Sequence, residues 1–226
     1  MVGRWAYTSR YNQLVSWATI WLVASQWWSF YAGDMAGPEN TKRALLEAGR
    51  EEFAKHGLAG ARTDRIAANS GVNKQRIYAY FGSKQGMFHA VLSDALDSLL
   101  GIVPYPKGDL PPGEFLSAYL QAVNAYHAKH PDLLRLLQWE ALEPDTVEPE
   151  SDSRSVYYQD KVTSLAQRLN IETKEAAPIL FGIIGLAAWP HIVPQLAALI
   201  MDDSPKRAQK QALQWAINSV ASLTVR

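Results

Sequence analysis

The sequence predicts an all-α chain, and three observations carry that prediction. Apolar residues recur at three- and four-residue spacing through most of the chain after position 40, the period of a helix with one buried face. No segment alternates apolar and polar residues as a half-buried strand requires. Gly101 to Gly113 holds four prolines and three glycines and reads as a loop between such segments.

The first 34 residues stand apart. They hold five of the eight tryptophans (Trp5, Trp17, Trp21, Trp27, Trp28), and their only charges are Arg4, Arg10 and Asp34. Leu14 to Tyr31 is uncharged, about 27 Å as a helix and marginal for a bilayer core. A membrane anchor, a secretory signal, an interfacial helix and sequence upstream of the natural start all fit this composition. The expectation adopted is the last, with the fold beginning at Met35.

Helix 1 is expected from Asn40 or Thr41, either of which can cap it, to His56. Leu45, Ala48, Gly49 and Phe53 share one face, and Gly57 suits the left-handed residue after its end. Ala61 to Phe81 reads as two short helices around a tight turn. Ile66 and Ala67 face inward from the first. Gly71 allows the positive φ of the turn, and Val72 plugs the angle between the helices. Asn73 can cap the second, whose Ile77 and Phe81 point to the core.

That leaves Lys74, Gln75, Arg76, Tyr78 and Tyr80 for the outer side and the helix ends. A helix of this kind in the major groove places its N-terminal side chains on base edges; Lys74 can read guanine and Gln75 adenine. Arg76, Tyr80 and Lys84 would supply phosphate contacts, which fix register rather than sequence. Backbone N–H groups of Arg62 and Thr63 would do the same. Charge agrees. Formal net charge is zero, yet Met35 to Lys84 carries nine basic and five acidic residues, and Gln85 to Arg226 eleven and sixteen. A basic reading head on an acidic body is the pattern of a DNA-binding protein.

Arg62 to Val91 closely resembles the DNA-binding domain of the tetracycline-repressor (TetR) family. The resemblance rests on Ile66-Ala67, Gly71-Val72-Asn73, Ile77-Tyr78, Tyr80-Phe81-Gly82-Ser83-Lys84 and Phe88, with Leu45, Ala48, Phe53 and Gly57 in order upstream. Two positions depart from the pattern. Arg62 stands where the family often has a small hydroxyl residue, and Gly86 where an acidic or helix-favouring residue is usual. The resemblance implies a helix 4 that joins the reading head to a ligand-binding body, and a dimer built on the last two long helices.

Helix 4 is expected from Ser83 to about Leu100, with Phe88, Val91 or Leu92, Ala95 and Leu99 buried. Glu114–Lys129, Pro131–Leu142, Asp152–Asn170, Lys174–Met201 and Pro205–Thr224 follow, with an acidic loop at Glu143–Ser153. Ala176 to Met201 contains no charged residue. Pro190, His191, Pro194 and Gln195 interrupt that run, which favours a helix buried on several faces over a membrane span. The last helix carries Ala208, Ala212, Trp215, Ser219 and Leu223 on one stripe and Leu213, Ile217 and Val220 on another, so it needs more than one neighbour.

Candidate effector-binding residues are Tyr119, Tyr126, His127, Trp139, Glu140, Tyr157, Phe181 and Trp189, the aromatic and polar residues of an otherwise apolar body. For each alone, ordinary core packing is the competing reading. No Gly-rich phosphate loop, nucleophile elbow or metal-ligand cluster is present, and with no cysteine there is no disulfide or thiolate site. No catalytic residue, metal or cofactor is expected. The domain expectation is a leader (1–34), a helix-turn-helix head (35–84) and a helical effector-binding and dimerisation body (85–226). The partners expected are double-stranded operator DNA, a second copy of the chain and a small-molecule effector, in the cytoplasm and without a membrane role.

Overall fold

The computed structural model describes residues 37–143 and 153–223. The leader and most of the acidic loop of the sequence reading lie outside them. The described residues form ten α-helices and no strand: α1 (Pro38–Gly60), α2 (Thr63–Ser70), α3 (Lys74–Phe81), α4 (Lys84–Ile102), α5 (Pro112–Lys129), α6 (Pro131–Ala141), α7 (Ser153–Leu169), α8 (Thr173–Ile192), α9 (Pro194–Met201) and α10 (Pro205–Ala221).

In the head, α1 starts earlier than expected. Pro38 occupies its first turn and Gly37 its N-cap without a side-chain bond, so neither Asn40 nor Thr41 caps it; proline at that position is pre-set for helix and has no N–H to leave unpaired. Gly57 interrupts α1 with φ 66° and ψ −177°. Gly71, at φ 67° and ψ 15°, ends α2, and the Ser70 hydroxyl accepts the following Val72 N–H at 3.3 Å. Asn73 caps α3 by accepting the Gln75 N–H at 2.9 Å, and Ser83 caps α4 by accepting that of Gly86 at 2.9 Å. Gly86, the departure noted above, has a local cause: a Cβ there would run into the Phe81 carbonyl oxygen.

Leu45, Phe53, Ile66 and Ile77 of the head are fully buried, as is Phe88 of α4, which packs against them. Phe53 and Phe88 meet edge to face at 5.3 Å, a geometry that adds about 1 kcal/mol to the area they bury. The one buried carboxylate among the described residues of the head is Glu52. It accepts from Arg65 Nε at 2.9 Å and from the Arg62 N–H at 2.8 Å, which ties α1 to α2.

In the body, α5 is central and packs on α8 and α10, while α7 lies on α8 and α9 folds back on α10. Phe115, Leu116, Leu120 and Val123 make α5's buried face. The single expected helix Lys174–Met201 is two. The chain leaves helical geometry at Val193 (φ −128°, ψ 56°), because Pro194 has no N–H to continue the ladder and starts α9 instead. The head and body meet where α1 packs on α6.

Candidate nucleic-acid interface and effector cavity

Helix α3 presents an outer face of the expected residues. Asn73, Lys74 and Gln75 at its N-terminus are exposed, Tyr78 is half-exposed, and Arg76 and Tyr80 are partly covered. Two of these are steadied by the rest of the head. Tyr78 and Thr63 hydroxyls lie 3.4 Å apart, and the Tyr80 hydroxyl donates to the Pro38 carbonyl at 3.2 Å. The N-terminal turn of α3 is thus open to solvent and fixed in direction, as base reading requires.

Besides Tyr80, three further expected phosphate contacts have partners inside the protein. The Arg62 N–H is taken by Glu52, so it is not open to an anion, and the Arg62 guanidinium pairs with Asp64 at 2.7 Å. Thr63 is buried. Lys84 turns inward, with Nζ donating to the Ala59 and Ala61 carbonyls at 3.4 and 3.3 Å. Its place after α3 made it look like a surface cation. The turned-back end of α1 supplies carbonyl acceptors that no sequence pattern displays.

Between α4, α5, α6, α7 and α8 lies a cavity of about 250 Å³. Its walls are mostly leucine, isoleucine, valine and alanine. Its polar groups are Tyr119, His127, Gln138, Tyr157, Tyr158 and Lys161. Lys161 Nζ donates to the Tyr119 hydroxyl at 3.1 Å and to the Val103 carbonyl at 3.2 Å. It also lies 4.3, 4.7 and 5.8 Å from the ring centres of Tyr105, Tyr119 and Tyr157. Desolvation brings the ammonium down to about 8 and the His127 imidazole to about 4, the latter with help from His191; it pushes the Tyr157 phenol up to about 12. Nδ1 of His127 and the hydroxyl of Tyr157 have no hydrogen-bond partner among the described residues.

Of the eight expected effector residues, the cavity brings together Tyr119, His127 and Tyr157. The other five lie elsewhere. Tyr126 is buried and stacks on His130 at 4.3 Å. Trp139 leaves the cavity and packs on α1, with Nε1 3.4 Å from the Ala54 carbonyl. Glu140 is partly buried on α6 outside the cavity wall. Phe181 and Trp189 are 81% and 57% exposed. Lys161 was missed because a lone lysine on a polar helix normally sits in water. Only the packing of α7 over Tyr105 and Tyr119 makes it internal.

Phe181 and Trp189 belong to a different feature. With Leu199 and Ile200 of α9 and Trp215 of α10, they are large apolar residues left open to solvent in a single copy of the chain. Helix α8 is long and apolar enough to cross a membrane, and a third of its most apolar window is buried inside the protein. Pro178 and Pro190 both lie within it.

Residues 45–91 match the family described as bacterial regulatory proteins, tetR family, and residues 116–219 match the tetracyclin repressor-like C-terminal domain. The chain is 39% identical over 169 residues to the HTH-type transcriptional repressor SCO4008 of Streptomyces coelicolor, covering 73% of this chain and 85% of that protein. It is 31% identical over 101 residues to the HTH-type transcriptional regulator RutR of Escherichia coli, covering 45% of this chain and 48% of RutR. Among solved structures, the putative transcriptional regulator SCO4942 of Streptomyces coelicolor superposes with a TM-score of 0.61 at 28% identity, covering 79% of this chain and 97% of that one. The fold also matches a TetR variant of Acinetobacter baumannii, solved in complex with minocycline, with a TM-score of 0.55 at 13% identity over 79% of this chain and 92% of that one. With the head, the linking helix and the body all accounted for, the chain belongs to the TetR family of DNA-binding transcriptional regulators.

Proposed function

We propose that this chain is a homodimeric repressor that reads a palindromic operator through α3 and releases it when a small molecule occupies the cavity of the body. The observation that carries this reading is the position of α4. It begins at Lys84, three residues after the reading helix ends, and its Leu96 and Leu99 line the cavity. One rigid element therefore spans both sites, and displacement of its far end would re-aim the near one.

Lys74, Gln75 and Arg76 are the proposed base- and phosphate-contacting residues, joined by Asn73, Tyr78 and Tyr80. The head extends to Lys84 and the body begins at Gln85. Phe181, Trp189 and Trp215 support a dimer built on α8 and α10, because open apolar surface of this kind is stable only when covered. Two heads on such a dimer would meet half-sites about one DNA turn, roughly 34–36 Å, apart. Selection of bound duplexes from a random library tests the reading. The expected product is an inverted repeat bound by two subunits. Recovery of duplexes without preference, or with a single half-site bound by a monomer, would overturn it.

A further inference from the structure

The charge of the cavity wall narrows what the effector can be. Among the described residues, Lys161 carries the only formal charge of the wall, and no aspartate or glutamate lines the space. The ammonium is held by neutral groups alone, two oxygens and three ring faces. A half-buried ammonium with no carboxylate beside it among the described residues is an incomplete ion pair. Beside it, the Tyr157 hydroxyl is a donor with no acceptor among the described residues. The remaining walls, including Leu99, Leu137, Leu180 and Ile184, are hydrocarbon. A cavity of about 150 Å³ holds one benzene ring, so about 250 Å³ suits one or two rings, or an aliphatic body of similar bulk.

We propose that the effector is an amphipathic monoanion whose acidic group pairs with Lys161 and takes the Tyr157 hydroxyl bond, with its apolar body between α4, α6 and α8. This rests on the effector reading of the cavity given above and deepens it. The same lysine gives the anion a way to act. Val103 is the C-cap of α4, and the Lys161 bond to its carbonyl places a cation at the negative end of that helix. An anion competes for the ammonium and repels the carbonyl end it leaves. Both effects act on the far end of the helix that begins at the reading head.

The three tyrosine faces around Lys161 also form a box of the kind that holds a cation, and the test separates the two charges. Full-length protein is titrated with 2-naphthoate, 2-naphthamide and 2-naphthylmethylammonium, three ligands of nearly one shape, at pH 7. Naphthoate is expected to bind best, by roughly tenfold over the amide, the worth of one charge-assisted hydrogen bond. It alone is expected to release an operator recovered by selection. Lys161→Met keeps the stem and should erase the preference, and Lys161→Arg should restore it. Tightest binding by the ammonium ligand, an undiminished preference in K161M, or no naphthoate binding at millimolar concentration overturns the proposal. If K161M does not fold, the order of the three ligands on wild type decides. Failure to bind any selected duplex would overturn the regulator reading instead, and the ligand order would still be read directly.

Discussion

Trp139 of α6 closes over Gly57 at the bend of α1, so tightly that a Cβ on Gly57 would lie 2.7 Å from the indole Cδ2 and Cε3. The backbone there is in a region that is essentially glycine's alone. Gly57→Ala is therefore expected to meet two costs, about 1–3 kcal/mol for the backbone and a further packing cost against Trp139. Equilibrium unfolding of G57A, W139A and the double variant separates them. The double variant should be more stable than the sum of the singles predicts, because truncating the indole removes the clash and leaves only the backbone cost. Strict additivity would show that the indole moves aside freely.

Glu52 holds the start of α2 to α1. Desolvation works to raise its pKa, but hydrogen bonds from the Arg65 guanidinium and the Arg62 N–H outweigh it, and the carboxyl is held below its ordinary value. A depressed carboxylate contributes stability that is present above its unfolded pKa and is lost as pH falls through its folded one. Glu52→Gln should therefore lower the melting temperature at pH 7 by about 5 °C and remove part of the acid sensitivity below about pH 4.5. Melting curves between neutral pH and pH 3 check both. An unchanged midpoint at pH 7 would show that the bonds to Arg62 and Arg65 contribute nothing net.

Lys74→Ala and Gln75→Ala should change which duplexes are selected, at about 1–3 kcal/mol per lost base contact, since both side chains are exposed on the first turn of α3. Lys84→Ala should act differently. Its ammonium bonds Ala59 and Ala61, so the loss is expected in the melting temperature of the head as well as in affinity. Site preference should stay as in wild type. A K84A protein that melts normally and binds weakly would return Lys84 to the role of a phosphate contact.

The contrast between Lys74 and Lys84 shows what the sequence carries. The helix-turn-helix was legible because each of its parts is local. Gly71 supplies the turn, Asn73 the cap, and Ile77 and Phe81 the buried side, all within eleven residues. What Lys84 and Trp139 touch is set by α1, 25 and 85 positions away, and no local pattern encodes it. The cavity was half legible for the same reason. Aromatic residues marked the body as unusual, but which of them face inward depends on the packing of α5, α7 and α8. Phe181 and Trp189 read as pocket residues because a large apolar side chain gives the same signal whether it faces a cavity or a second subunit.

The uncovered apolar side chains of α8 and α10 make a dimer prediction that folding does not confound. Trp215 and Phe181 are 66% and 81% exposed in a single copy, so a charge at either leaves the subunit core untouched. In a dimer the same charge would be buried without a partner, at several kcal/mol. Trp215→Glu and Phe181→Glu are each expected to sediment as folded monomers that bind operator weakly. Either variant remaining dimeric would place the interface elsewhere.

The cavity lysine sets a pH dependence for anion binding. Below its value of about 8 the ammonium is charged, and a carboxylate ligand is ionised throughout the neutral range. Four described groups around it keep one protonation state over that range. His127 of α5 stays neutral above about pH 4, and Tyr157 of α7 keeps its proton to about 12. Burial raises Tyr105, before α5, and Tyr119 of α5 further still. Binding requires the protonated lysine, so naphthoate affinity should be level from pH 6 to 7 and fall as pH rises past 8, approaching tenfold per pH unit. Naphthamide carries no charge and should show no such fall. Titrations of both ligands from pH 6 to 9.5 make the comparison. Parallel profiles for the two would mean that Lys161 does not meet the acidic group, whatever the affinity at neutral pH.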